Sequence, residues 1–182
     1  TEIPGTNFDY NYLQHRKVDV VSSALDFILP FEKYKITAGA KVSFTNTRNG
    51  INYDTSDPTL VQDDYFRYKE QIYALYADYS REYSERFSMQ LGLRMEHTRT
   101  TGISEAKDTE DKHDYTRLFP TVYLLYSPTD GHALNFSFSN RISRPSQNMV
   151  NPFPFYQNKY TDACGREDLK PSYTYNVELG HT

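Results

Sequence analysis

The run Asn140-Arg141-Ile142-Ser143-Arg144-Pro145-Ser146 passes through Asn151-Pro152-Phe153 and closes as Gly165-Arg166-Glu167-Asp168-Leu169-Lys170-Pro171-Ser172-Tyr173-Thr174-Tyr175-Asn176-Val177-Glu178-Leu179-Gly180. Prolines at 145, 152, 154 and 171 have no amide hydrogen to give a ladder, so they belong to a loop or to a strand start. After Pro171 the residues alternate. Tyr173, Tyr175, Val177 and Leu179 turn one way; Ser172, Thr174, Asn176, Glu178 and Gly180 turn the other. The stretch therefore reads as one strand ending, a long loop, and a second strand beginning.

Working outward, the same period of two recurs along the chain. A strand is expected from about Val18 to Leu29, with Val21, Ser23, Leu25, Phe27 and Leu29 on one face. The next, about Tyr34 to Thr47, sets Ile36, Ala38, Ala40, Val42 and Phe44 against Lys35, Thr37, Gly39, Lys41 and Ser43. The third, about Phe66 to Arg81, groups Tyr73, Leu75, Ala77 and Tyr79; its good helix formers make helix the rival reading. The fourth begins at Phe87 and alternates Met89, Leu91, Leu93 and Met95 with Ser88, Gln90, Gly92, Arg94 and Glu96, which favours strand for both. Strands five (Arg117 to Ser127) and six (His132 to Ser143) follow, joined by Pro128-Thr129-Asp130-Gly131, a compact turn. With the turn between strands three and four centred near Ser84, Tyr79 should face Met89, Ala77 should face Leu91, and Leu75 should face Leu93.

The connections then alternate: short (30–34), long (48–65), short (82–85), long (101–115), short (128–131), long (144–171). Such alternation between strands of ten or more residues is the arrangement of outer-membrane barrels, with short periplasmic turns and long outer loops. The expected fold is all-β: an antiparallel up-and-down transmembrane β-barrel segment of about seven strands, a partial barrel.

Composition agrees and excludes other classes. The chain is 37% hydrophobic with mean hydropathy −0.76 and no apolar run long enough for a membrane-crossing helix, but an alternating barrel strand hides half its apolar signal from any average. The net charge of −4 offers no basic stripe for nucleic acid. The single cysteine, Cys164, falls in the long loop and reads as a spare thiol. No leader opens the chain, and Leu179-Gly180-His181-Thr182 stops in mid-strand, so residues 1–182 are expected to be an excerpt of one barrel domain without its plug.

Arg-x-Ser-Arg-Pro-Ser at 141–146, Asn-Pro-Phe at 151–153 and Leu-Lys-Pro-x-x-x-x-Asn-x-Glu-Leu-Gly at 169–180 together resemble the late barrel region of TonB-dependent outer-membrane receptors, in particular the outer membrane protein β-barrel family. Arg166-Glu167 stands where that pattern usually has Asn-Pro, and Gln147 where an aromatic is common. The resemblance implies a bacterial outer membrane and import of a polar solute: a siderophore, vitamin, glycan or peptide. It further implies membrane lipid, the rest of the barrel, a plug and TonB as partners, with room for a surface lipoprotein at the mouth. It implies no enzyme activity and no cofactor.

If Leu91 and its neighbours meet lipid, Arg94, Glu96, Arg141 and Glu178 point inward. A bare Arg or Lys at mid-membrane on the lipid side would cost about 2–4 kcal/mol. With Arg144 at the loop entrance, these five are the candidates for a solute path; mutual pairing as interior packing is the plainer reading of each. The acidic run Glu105, Asp108, Glu110, Asp111 and Asp114 carries Lys107 and Lys112 within it and lacks calcium-loop spacing, so it reads as a solvated loop. The five histidines show no metal-ligand spacing. Two alternatives stand beside the receptor: a soluble glycan-binding β-sandwich, whose apolar faces would close into one core, and an outer-membrane barrel hydrolase resting on His97.

Overall fold

Alternation and β-branched residues give strands much longer than the apolar patches alone suggest. The computed structural model describes residues 10–55, 64–105, 108–150, 155–158, 161–166 and 168–182. The strands are β1 (Tyr10–Pro30), β2 (Tyr34–Thr55), β3 (Asp64–Ser84), β4 (Phe87–Ser104), β5 (Thr109–Thr129) and β6 (His132–Ser143). A four-residue helix α1 (Gln147–Val150), a small hairpin of β7 (Phe155–Asn158) and β8 (Thr161–Ala163), and β9 (Ser172–His181) follow. Seven strands form one sheet in the order β1-β2-β3-β4-β5-β6-β9, every neighbouring pair antiparallel, while β7 and β8 pair with each other. The sheet is not closed: β1 and β9 are its two edges.

Four expectations need correction. Of the first long loop, 48–65, residues 48–55 and 64–65 are strand, and 56–63 lie outside the described residues. The second long loop, 101–115, is largely strand, leaving only residues 105–108 between β4 and β5. Thr98, Thr100, Thr101 and Ile103 suit a pleated surface, and the cross-strand pair Arg99–Asp114 supports the ladder. Asp108 takes the left-handed φ of 48° that so tight a reversal needs. The 144–171 loop carries α1 and the β7–β8 hairpin. Finally, Tyr79 faces Leu91, Ala77 faces Leu93 and Leu75 faces Met95. The turn is centred one residue later than expected, with an irregularity between Glu82 and Ser84, so the register moves by two and every face is kept.

One face carries an apolar belt near the short turns: Leu25, Phe27, Leu75, Leu91, Leu93, Leu118, Val177 and Leu179 are all exposed, Leu179 by 80%. A sandwich would need these side chains in a closed core, and they are outside, so the sandwich reading falls. The belt ends at Met95 on β4 and Leu118 on β5; the next residues on that face are His97 and Arg99, and Thr116 and Asp114. Strands of 21 residues extend about 70 Å at roughly 3.3 Å per residue, whereas crossing a membrane takes about 9–11 residues. About half of each long strand therefore stands beyond the belt.

Two prolines shape this sheet from within a central strand. Pro128 sits in the irregularity between Tyr126 and Thr129, where β5 loses step with β6. Pro120 has no amide hydrogen for β6, and the β5–β6 ladder ends one residue before it, at Thr121–Ser139. Beyond that point, among the described residues, β5 continues only with β4, and β6 only with β9. The long-loop half of the sheet is thereby split between β5 and β6.

Candidate functional site

The split is filled by arginines. Arg144, the first residue after β6, reaches across β5 to the inner face of β4 and β3. Its Nη2 donates to Glu96 Oε1 and, at 3.3 Å, to Thr98 Oγ1. Its Nε lies 3.7 Å from Glu70 Oε2, close enough for an ion pair and too far for a hydrogen bond. Arg94 donates from Nε and Nη2 to Glu96 Oε2 at 3.1 and 2.8 Å, and its guanidinium lies over the Tyr76 ring, 5.8 Å from the centroid. Glu96 is 6% exposed, so its charge is held between two guanidiniums rather than by water. Arg117 crosses the same gap outward, donating to Tyr173 Oη at 3.3 Å and lying over that ring.

Burial sets the electrostatics here, beyond the belt. Desolvation raises the pKa of the Glu70 carboxyl above its ordinary value against the pull of Arg144, and lowers that of Arg144 in turn. Burial, then the Glu70 charge, push the Tyr68 hydroxyl up to about 12. Tyr68, Glu70, Tyr115, Arg117, Arg144 and Val150 line a concavity of about 430 Å³ under the start of the long loop. Val150 is buried there, and the loop folds back on itself through Arg166 N–H donating to Met149 C=O at 2.7 Å.

Of the five residues singled out in the sequence, Arg94, Glu96 and Arg144 come together. Arg141 lines a neighbouring inner-face concavity of about 520 Å³ with Lys41, Asp78 and Thr121, and makes no ion pair among the described residues. Glu178 stands apart on the edge strand β9, exposed and opposite Ser137. Glu70, Thr98 and Tyr68 were missed. Glu70 lies in Lys69-Glu70-Gln71, a polar run at the strand's end, but its parity with Ile72, Ala74 and Tyr76 was a usable signal.

Gly39 faces Tyr76 and Asp26 on its two sides, and the Tyr76 ring lies across it so that Oη donates to Asp26 Oδ1. A Cβ at position 39 would come within 2.6 Å of that ring. His97, by contrast, is on the outward face, bonded to Thr116 Oγ1 through Nδ1 at 2.9 Å with Nε2 3.4 Å from Asp114, which Arg99 also holds at 2.8 Å. This is a cross-strand row of paired side chains, and nothing in it favours the hydrolase. The remaining acidic residues described, Glu105, Asp108, Glu110 and Asp111, form no cluster with metal-holding geometry among the described residues.

The chain matches the model of the outer membrane protein beta-barrel family over residues 2–182. Among solved structures it is similar to the copper transporter OprC, at 13% identity and a TM-score of 0.71 over 93% of this chain and 28% of that one. It is also similar to the siderophore receptor PiuA from Acinetobacter baumannii, at 14% identity and 0.62 over 93% and 29%. The ferric yersiniabactin uptake receptor FyuA from Yersinia pestis matches at 18% identity and 0.57 over 94% and 27%. At these identities the likeness is one of fold, and the chain spans less than a third of each structure's length. No curated protein sequence matches it.

Proposed function

Because the chain belongs to the outer membrane protein beta-barrel family and is therefore a protein of the bacterial outer membrane, we propose that it forms part of the wall and mouth of a TonB-dependent receptor importing a polar solute. The observation that carries this reading is the charged, tyrosine-lined cleft on the inner face, at the end of the sheet where the long loop begins. The solute belongs to the siderophore, vitamin, glycan or peptide classes. Residues 1–182 lie in a single barrel domain, with the plug and the TonB contact elsewhere in the receptor, and the cleft does no covalent chemistry. Arg94, Glu96, Arg141, Arg144 and Glu178 lie along the solute's path, Arg141 and Glu178 as the charges left free to meet it.

In this reading the connections at 105–108 and 144–171 face the cell exterior and the short turns at 31–33, 85–86 and 130–131 face the periplasm. Of the expected loop at 48–65, residues 56–63 lie outside the described residues. Cys164 is exposed on the long loop, so an impermeant maleimide should label it on intact cells. The decisive measurement is whole-cell uptake by the full-length receptor, with and without TonB, for the natural sequence and for Arg141→Ala. Uptake should need TonB, and Arg141→Ala should weaken it while the barrel assembles normally. Uptake indifferent to TonB would overturn the receptor class; uptake indifferent to Arg141→Ala would remove that residue from the path.

A further inference from the structure

At the short-turn end of the sheet, far from the cleft, two histidines meet across neighbouring strands. His132 opens β6 just after Gly131, whose φ of 87° closes the turn, and His181 ends β9. Leu134 faces His181 in the ladder, and the next pair, Ala133 and Thr182, exchanges two backbone bonds of 2.9 Å each. The backbones are thus fixed while His132 and His181 stand diagonally on the outward face, a spacing that long or aromatic side chains can bridge. Their rings lie 5.3 Å apart at 11°, and His132 Nδ1 is 3.2 Å from His181 Nε2. Both rings are exposed.

We propose that His132 and His181 form a two-imidazole site for a divalent ion of the zinc, nickel or copper class. Two nitrogens bound at 2.0–2.1 Å to one tetrahedral metal stand about 3.3 Å apart, close to the separation found here. Neutral imidazole suits these ions, and exposure lets each ring turn so that both lone pairs point to a shared centre off the line between them. A simple N–H···N bond would also occupy the gap, but between two exposed rings it adds little net stability because water competes for both partners. No third His, Cys, Asp or Glu completes a set among the described residues, so water fills the other positions. The bound ion would tie β6 to β9 at the rim. Because each ligand must be neutral, protons compete with the ion for the two rings.

The test is a titration of the full-length protein, without a histidine tag and in detergent, with Cu²⁺ followed by electron paramagnetic resonance and with Zn²⁺ followed by competition against a chromophoric chelator. The natural sequence should bind one equivalent more than either His132→Ala or His181→Ala, with a spectrum showing nitrogen ligands, and that equivalent should be lost at acid pH. His15→Ala, which changes an exposed histidine at the other end of the sheet, should keep it. Heat-modifiable gel mobility reports whether each variant is folded, and His132→Gln provides a second variant that retains a hydrogen bond without a ring nitrogen. Equal stoichiometry in the natural sequence and in folded His132→Ala or His132→Gln would overturn the site and leave the pair as a hydrogen bond only.

Discussion

The short-turn half and the long-loop half of this sheet remove opposite kinds of side chain from water. Near the short turns, Leu91, Leu93 and Leu118 stand exposed on the outward face, where lipid covers them. Beyond the belt the outward face carries ion pairs such as Arg99–Asp114 and Arg48–Asp19, and the side chains withdrawn from solvent are on the inward face. Thr47, Asn49, Thr98, Thr100 and Ser104 are buried there, alongside Ile51 and Phe66. One half is stabilised by the solvent it sits in; the other supplies its own partners. The same backbone ladder serves both because pairing in a sheet does not depend on which face is apolar.

The largest effect should separate the two halves by a single charge. Leu93→Arg puts a guanidinium on the lipid face within the belt, at a cost of about 2–4 kcal/mol if the position is at mid-membrane. We expect a large loss of assembled protein in the outer membrane and a lowered unfolding midpoint in lipid. Thr116→Arg, on the same face beyond the belt, should assemble normally. Equal loss for both would mean that the belt does not end where the apolar row ends.

The next effect tests the inner face of the belt. Gly39→Val drives a side chain into the Tyr76 ring and into the Leu25 carbonyl oxygen, 2.6 and 2.7 Å from the new Cβ. Overpacking of this kind costs about 1–3 kcal/mol. Adding Tyr76→Ala should recover part of the loss, since it removes the ring but not the clash with backbone. Gly50, whose added Cβ would meet only Tyr65 at 3.7 Å, offers the matched control beyond the belt.

The short-turn half was largely legible in the sequence, and the reason is physical. Lipid on one face imposes a strict period of two, so Met89 to Met95 and Ser172 to Gly180 could be assigned to faces without knowing any partner. The β3–β4 register slipped by two because the chain reverses at Glu85-Arg86, later than a turn centred on Ser84, and the one-residue irregularity between Glu82 and Ser84, which alternation does not encode, brings the faces back into step. In the long-loop half no solvent imposes a period. Polar residues occupy both faces, so strand extensions such as Arg48 to Thr55 and Thr101 to Ser104 looked like loop. The cleft depended on contacts between residues 46 to 74 positions apart, Glu70 with Arg144 among them, and on the missing amide hydrogen of Pro120. The proline was visible, but its consequence appears only once β5 is known to have neighbours on both sides.

Within the cleft a smaller effect distinguishes a coupled network from independent pairs. Glu96→Gln and Arg144→Ala should each destabilise, and the double variant should destabilise by less than their sum. Coupling of about 0.5–3 kcal/mol is usual for side chains in one network. The cycle can be run on unfolding midpoints in detergent. Glu96→Gln with Arg99→Ala gives the contrast, because Arg99 bonds Asp114 on the opposite face and should add independently.

The smallest effect is a pH dependence carried by Glu70. Burial holds its carboxyl above the ordinary 4.5, with Arg144 only partly offsetting the shift. A carboxyl whose pKa is raised on folding binds its proton more tightly in the folded state than in the unfolded one. Its contribution to stability is therefore fully present below the unfolded value and is lost as the pH rises through the folded one. On that account, stability of the natural sequence should decline between about the unfolded value and neutrality, relative to Glu70→Gln, which has nothing to titrate there. The difference between the two midpoints, followed from acid to neutral pH in detergent, isolates this one group from carboxyls whose behaviour both proteins share. Asp168 provides the opposite sign. The hydrogen bond from Arg166, worked against by slight desolvation, holds its carboxyl below the usual range, so its contribution is present above the unfolded value and fades as the pH falls. Asp168→Asn should remove a slope on the acid side and leave the Glu70 slope intact. If Glu70→Gln leaves the profile unchanged while Asp168→Asn alters it, the carboxyl in the cleft is better hydrated than its contacts with Arg144 and Tyr68 indicate, and the long-loop half is less self-sufficient than its buried threonines imply.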